Sequence, residues 1–168
     1  SLSPMRYAWD GYDDYARELG GPGRLLGDGL RRRLQAWDRG AGSRVRAVAC
    51  ISEHVRARVQ AAYLRDSRVV YPPVDVDVFE RAGREATPGD RFLAVGAVRP
   101  NKRLDAVAVA SRNLGLPLDI VGQGSPRALA RLRQLGGPGV MVLGEVPREE
   151  LVARVARARA LVHAANED

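Results

Sequence analysis

The chain carries 27 basic residues, and every one except Lys102 is arginine. A compact, strongly hydrated ammonium differs chemically from a planar guanidinium fork, and its single use marks a place that calls for a point charge. Lys102 lies in the stretch Arg91-Phe92-Leu93-Ala94-Val95-Gly96-Ala97-Val98-Arg99-Pro100-Asn101-Lys102-Arg103-Leu104-Asp105. Two further cations, Arg99 and Arg103, fall within three residues of it. The apolar run 92–98 reads as a buried strand, Pro100 and Asn101 as a turn, and the spacing of Leu104, Val107, Ala108 and Ser111 as a helix. A helix start presents unpaired N–H groups and the positive end of a dipole. Three cations at that point suit a phosphate or a diphosphate. The plainer alternative is a solvated helix start with a chance lysine.

The elements that must hold this loop form a regular series. The pattern predicts strand 92–98, helix 102–113, strand 118–122, helix 126–135, strand 140–144, helix 148–158 and strand 160–165. Strands and helices alternating at this spacing form an α/β domain around a parallel sheet. Ligands then bind beyond the carboxyl ends of the strands. The segments with chemical potential all fall at such ends: Gly96 and residues 97–103, Gly122-Gln123-Gly124, Gly144-Glu145-Val146, and residues 163–168. Gly122 and Gly124 alone are a weak signal, since glycines often serve only the turn. Sharing an edge with Lys102 strengthens it. His163 ends an apolar run and reads first as a satisfied core or rim histidine.

The first part of the chain is less regular. Trp9 to Leu19 predicts a short helix with early acids Asp10, Asp13 and Asp14. Residues 24–44 predict a second helix, with Leu26, Leu30, Leu34 and Trp37 as a packed apolar stripe and Arg31, Arg32 and Arg33 on a solvated face. The alternative is a helix lying on an anionic membrane. Residues 45–51 predict a strand, Ser52 an N-cap, and the helix that follows turns Val55, Val59 and Ala62 inward. His54, in its first turn, reads as exposed. Residues 68–71 form a short strand, which Pro72-Pro73 stops. The domain boundary is therefore expected there, dividing the chain into 1–73 and 74–168. Residues 74–79 read as an extended linker and 80–90 as a polar loop.

Composition narrows the partners. The net charge is +7, with the excess mostly in residues 1–73, and suits nucleic acid, an anionic membrane face or a phosphorylated ligand. Aromatics at 5% give little material for stacking nucleobases. Cys50 is the single cysteine and sits in an apolar run, so it reads as a buried thiol without disulfide or metal partners. No stretch has the length of a membrane span and no secretory leader is seen, which points to the cytoplasm. The apolar run 160–164 passes straight into Asn166-Glu167-Asp168, giving the expectation of an internal piece of a longer protein. No metal-ligand spacing and no nucleophile–histidine pair stands out.

Five segments, in order, resemble retaining glycosyltransferases of family 4, in the mannosyltransferase-like branch. These are Ser3-Pro4-Met5-Arg6-Tyr7-Ala8-Trp9-Asp10, Val69-Val70-Tyr71-Pro72-Pro73-Val74-Asp75, Lys102-Arg103-Leu104-Asp105, Ile120-Val121-Gly122-Gln123-Gly124, and Glu167-Asp168. The resemblance implies a GT-B fold, in which two Rossmann-like domains face a cleft. Residues 1–73 would be the end of the N-terminal, acceptor-side domain, with Met5, Arg6 and Tyr7 at the cleft. Residues 74–168 would be the first half of the C-terminal, nucleotide-sugar-binding domain. The resemblance assigns Lys102 to the donor diphosphate, with Arg99, Arg103 and Gly96 beside it. Gly122, Gly124, His163 and Asp168 fall to the donor-site loops, and Glu167 to the catalytic position against the transferred sugar. Cationic stabilisation of the leaving diphosphate replaces a metal, so no cofactor is expected beyond a GDP- or UDP-linked sugar substrate.

Two positions depart from the family pattern. Ala97 stands where an arginine is usual, and Arg99 is the candidate to replace it. Leu2 stands where a histidine is usual. The expected function is transfer of a hexose, of mannose or glucose type, with retention, to a glycan or lipid-linked acceptor. The expected place is the cytoplasm, with peripheral contact at the inner membrane face, and the chain alone is expected to be inactive. The rival reading is a non-catalytic basic module that binds nucleic acid or anionic lipid.

Overall fold

The structure, a computed structural model, describes residues 4–5, 8–9, 12 and 27–165. The chain divides into two compact units, Ser1–Val74 and Asp75–Asp168.

In the first unit, helix α1 (Gly27–Arg44) is followed by strand β1 (Ala49–Cys50), helix α2 (Glu53–Tyr63) and strand β2 (Arg68–Val69). The two strands pair in parallel. Ser52 caps α2 by accepting a 3.2 Å hydrogen bond from the Val55 amide, as a serine N-cap should. Val55, Val59 and Ala62 are buried on α2, and Cys50 packs against Val55 and Val59. His54 is exposed. The predicted helix from Trp9 to Leu19 falls almost entirely outside the described residues.

The inward face of α1 is a correction to the sequence reading. Of the predicted stripe, Leu30 is 57% exposed and Trp37 61% exposed, Leu34 is half-buried, and Leu26 lies outside the described residues. The buried side is polar. Asp38 accepts hydrogen bonds from Trp9 Nε1 (2.8 Å) and Tyr63 Oη (3.0 Å). Gln35 and Arg31 both donate to the Ala8 carbonyl. Hydrophobic spacing alone did not reveal that α1 packs on backbone carbonyls and on two aromatic side chains with polar tips, which a carboxylate satisfies better than a leucine.

The second unit opens with helix α3 (Val76–Glu85), in place of the predicted linker and loop. The alternation over 74–79 suggested extended chain. Yet Val78 and Ala82 lie one turn apart, and with Glu85 they line a hollow shared with Arg148 and Val152. Packing on a neighbouring helix decides the conformation. A 2.8 Å ion pair from Arg148 to Asp75, just before the helix, ties the two ends together.

Strands β3 (Phe92–Val95), β4 (Leu118–Val121) and β5 (Val140–Gly144) form a parallel sheet in that spatial order. Helices α4 (Leu104–Leu114), α5 (Pro126–Gly136) and α6 (Arg148–Arg157) connect them and lead on. The predicted fourth strand, 160–165, is reduced to one parallel bridge, Leu93↔Leu161. It is held by the hydrogen bonds Leu93 N–H to Ala160 O and Val162 N–H to Leu93 O. It lies on the far side of β3 from β4, so the chain reverses its progress across the sheet after β5. The core is Ala94, Leu104, Val107, Ala108, Leu118, Ile120, Leu132, Val140 and Val142. Among the described residues no helix is long and apolar enough to cross a membrane.

Candidate functional site

Because the strands run parallel, the segments that follow them emerge at one edge. Residues 96–103 follow β3, Gly122 to Gly124 follow β4, Glu145 follows β5, and His163 follows the bridged segment. The reversal of strand order falls between β3 and residue 161. In open parallel sheets, such a reversal leaves a crevice at the carboxyl ends where ligands bind. The sequence reading thus selected loops that the sheet does bring to one edge. Glu167, Asp168, Arg6 and Tyr7 lie outside the described residues. Met5 is described, and its carbonyl accepts from the Ala8 and Trp9 amides, closing a turn in the first unit.

The β3–α4 loop is built differently from the simple strand-to-helix passage that the pattern predicts. β3 stops at Val95. Pro100–Lys102 form a separate 3₁₀ turn, and α4 begins at Leu104. Arg103 joins them in the left-handed region (φ 52°, ψ 30°), uncommon for a residue with a Cβ. Pro100 suits the first position of the turn, since its fixed φ is helical and its lacking N–H is not needed there. The Lys102 amide donates to Arg99 O (3.0 Å) and that of Arg103 to Pro100 O (3.2 Å). Lys102 therefore sits on the turn and not on the helix. It is half-buried, while Arg99 and Arg103 are exposed.

The ends of β3, β4 and β5 are bonded in series. Gly96 N–H donates to Val121 O at 2.9 Å, Val98 N–H to Gln123 O at 2.8 Å, and Gly122 N–H to Gly144 O at 2.8 Å. Gly122 and Gly124 are required by this closeness. A Cβ on Gly122 would stand 1.8 Å from the Gly96 carbonyl oxygen, and one on Gly124 would stand 2.8 Å from Val98 Cβ. His163 is exposed. The edge can thus present cations on a braced loop to an anionic ligand. Among the described residues, no group of three or more His, Cys, Asp or Glu side chains could hold a metal ion.

The sequence reading missed the charge cluster at the opposite edge. Asp119, hidden in the apolar run of β4, is buried and paired with Arg91 (2.5 Å) and Arg154 (2.8 Å). Arg154 also pairs with Glu150, and Arg91 donates to the Leu118 and Gly139 carbonyls. This cluster borders a hollow of about 360 Å³ and satisfies its own charges, as a buried carboxylate requires. Two arginines at 91 and 154 flanking an acid in a strand were the available signal, but only the sheet register brings them together.

The chain shares its fold with GT-B glycosyltransferases. The crystal structure of AviGT4, a glycosyltransferase involved in avilamycin A biosynthesis, matches 67% of the chain at 28% identity, with a TM-score of 0.53. That of WaaG, a glycosyltransferase involved in lipopolysaccharide biosynthesis, matches 94% of the chain at 20% identity, with a TM-score of 0.59. The matches span 34% of AviGT4 and 48% of WaaG. No protein-family model and no curated protein matches the chain.

Proposed function

We propose that this chain belongs to a retaining glycosyltransferase of family 4 and carries part of its nucleotide-sugar site. The observation that supports this most directly is the edge of the second unit. The sole lysine stands on a turn just after the β3 end, whose Gly96 and Val98 amides bond to the glycine-containing end of β4, beside the reversal of strand order. Residues 74–168 are the first half of the donor-binding domain, and residues 1–73 are the end of the acceptor-side domain. The donor is a GDP- or UDP-linked hexose of mannose or glucose type, and the acceptor is a glycan or a lipid-linked sugar. The reaction takes place in the cytoplasm, at the inner face of the membrane where the acceptor is lipid-linked.

The chemistry follows from where charge develops. As the glycosidic bond to the donor breaks, negative charge grows on the departing diphosphate. Lys102 meets it, with Arg99 and Arg103 beside it, so no metal is required. The diphosphate is charged before and after the step, so the lysine acts partly on binding and more on the transition state. The leaving phosphate takes the acceptor proton on the same face, which yields retention, and Glu167 contacts the transferred sugar.

The sole lysine supplies the test. Reductive [¹³C]methylation labels Lys102 and keeps its charge; the α-amino group titrates lower and is thereby told apart. GDP, UDP and their sugars are titrated against the labelled chain, in parallel with duplex DNA and anionic vesicles. The expected result is a saturable shift of the Lys102 resonance with one class of nucleoside diphosphate. Response to DNA or vesicles alone, with steep salt dependence, establishes the basic-module reading instead.

A further inference from the structure

We propose that Gly122 is a positioning residue for Lys102, acting through the Gly96–Ala97 peptide. This rests on the reading of Lys102 as the diphosphate ligand. A Cβ at Gly122 would meet the Gly96 oxygen at 1.8 Å, the Gly96 carbonyl carbon at 2.6 Å and the Ala97 nitrogen at 3.4 Å. All three are backbone atoms of the neighbouring loop, so no side chain can swing aside to make room. The ideal Cβ position of Gly96 lies 3.9 Å from Lys102 Cγ. The lysine stem therefore lies beside Gly96, and the Gly96 carbonyl lies against Gly122. The Gly96–Val121 and Val98–Gln123 hydrogen bonds hold the stack at this spacing.

The absent side chain at Gly122 sets how deeply the β3 loop settles onto the end of β4. That depth sets the height of Lys102 at the edge. An alanine there must open the gap to the Gly96 oxygen from 1.8 Å to about 3.4 Å, a shift of about 1.6 Å. A displacement of about 1 Å in a positioning element can cost on the order of 10²-fold in rate. Gly122 thus acts on the anion without touching it. Gly124 supports the same loop more loosely, because its obstacle is the Val98 side chain.

The test compares Gly122→Ala, Gly124→Ala and Gly139→Ala in the ¹³C-methylated chain. Nothing lies within 4 Å of a Cβ at Gly139, so this variant controls for glycine replacement. The first readout is the Lys102 methyl resonance and its titration without ligand. The second is affinity for inorganic pyrophosphate and for the nucleoside diphosphate. Gly122→Ala is expected to move the Lys102 resonance and weaken pyrophosphate by at least about tenfold, on the scale of a misplaced positioning group. Gly124→Ala moves the resonance in the same sense by less, and Gly139→Ala leaves both readouts in place. A folded Gly122→Ala variant with an unmoved Lys102 signal overturns the proposal. If Gly122→Ala does not fold, Gly124→Ala decides, and an unmoved signal with unchanged affinity in that variant overturns it. If the wild type ignores pyrophosphate while Gly122→Ala still moves the Lys102 signal, the diphosphate reading fails and the coupling stands.

Discussion

The two units use positive charge in different ways. In the first, arginines serve as internal struts. Arg31 donates to the Ala8 and Trp9 carbonyls, Arg39 to Ala62 O, and Arg65 to the carbonyls of Gly42, Val45 and Arg46. Arg56 pairs with Asp66, whose carboxyl is held below its ordinary range by the Ser67 amide and then by Arg56. The second unit has struts too, Arg91 to the Leu118 and Gly139 carbonyls and Arg133 to Val142 O, but it adds Lys102, Arg99 and Arg103 on a loop at the strand ends of an apolar-cored sheet. Arg31, Arg39, Arg56 and Arg65 are thus committed to bonds within their own unit. A high net charge does not by itself describe an anion-binding surface, since a guanidinium that satisfies buried carbonyls is already occupied. These four arginines are therefore not counted toward an anion-binding surface.

The contrast can be broken most sharply in the core of the second unit. Ile120 is fully buried in β4, and Ile120→Ala should cost about 2–5 kcal/mol through lost burial and the cavity left behind. Chemical denaturation with a probe in each unit measures it, and an unchanged midpoint for the second unit removes the claim that an apolar core holds it.

Next in size is the cation at the edge. If the proposed sugar transfer holds, Lys102→Ala should lower its kcat/KM by about 10²–10³-fold, the effect of removing one preorganised charge stabiliser. Melting curves should stay near those of the wild type. Lys102→Arg should recover only part of the loss, because the planar fork approaches a single oxygen less well. If Arg99→Ala gives the large loss instead, the anion sits nearer the strand end and Arg99 compensates for Ala97.

A smaller effect is expected in the first unit. Asp38→Ala leaves the Trp9 indole and the Tyr63 hydroxyl without their carboxylate acceptor, at a cost of about 1–3 kcal/mol. The same pair gives a pH signature. Burial first, and then the hydrogen bond and charge of Asp38, push the Tyr63 phenol up to about 12 from its ordinary value of 10.0. The folded state therefore holds this proton more tightly than the unfolded chain. The stabilisation is complete below pH 10 and is lost as the pH rises towards 12. Absorbance titration at alkaline pH should show one late tyrosine, missing in Tyr63→Phe and moved to lower pH in Asp38→Ala. If all tyrosines titrate together, the buried Trp9–Asp38–Tyr63 arrangement is wrong.

The smallest effect tests the outward stripe. Trp37→Ala and Leu30→Ala should each change stability by less than about 0.5 kcal/mol, as substitutions away from packed features do. A loss of several kcal/mol would mean that α1 buries this face.

The sequence by itself determined the parallel α/β series of the second unit. Its apolar runs, its glycine and proline breaks, and its helical stripes agree with one another, and local pattern then suffices. It also singled out Lys102, through composition, and the glycine pair after β4. Tertiary structure decided the rest. It made a helix of 76–85, because Val78 and Ala82 find a partner surface near Val152 that lies some seventy residues away in sequence. It turned Leu30 and Trp37 of α1 outward, because the inner side had carbonyls and polar aromatic tips to satisfy. It separated Lys102 from α4 through the left-handed Arg103. It gave Gly122 its purpose, because the peptide that would collide with a side chain there comes from the neighbouring strand end. Periodicity reports which residues share a face, whereas the identity of what that face meets is a property of chain segments far apart in sequence.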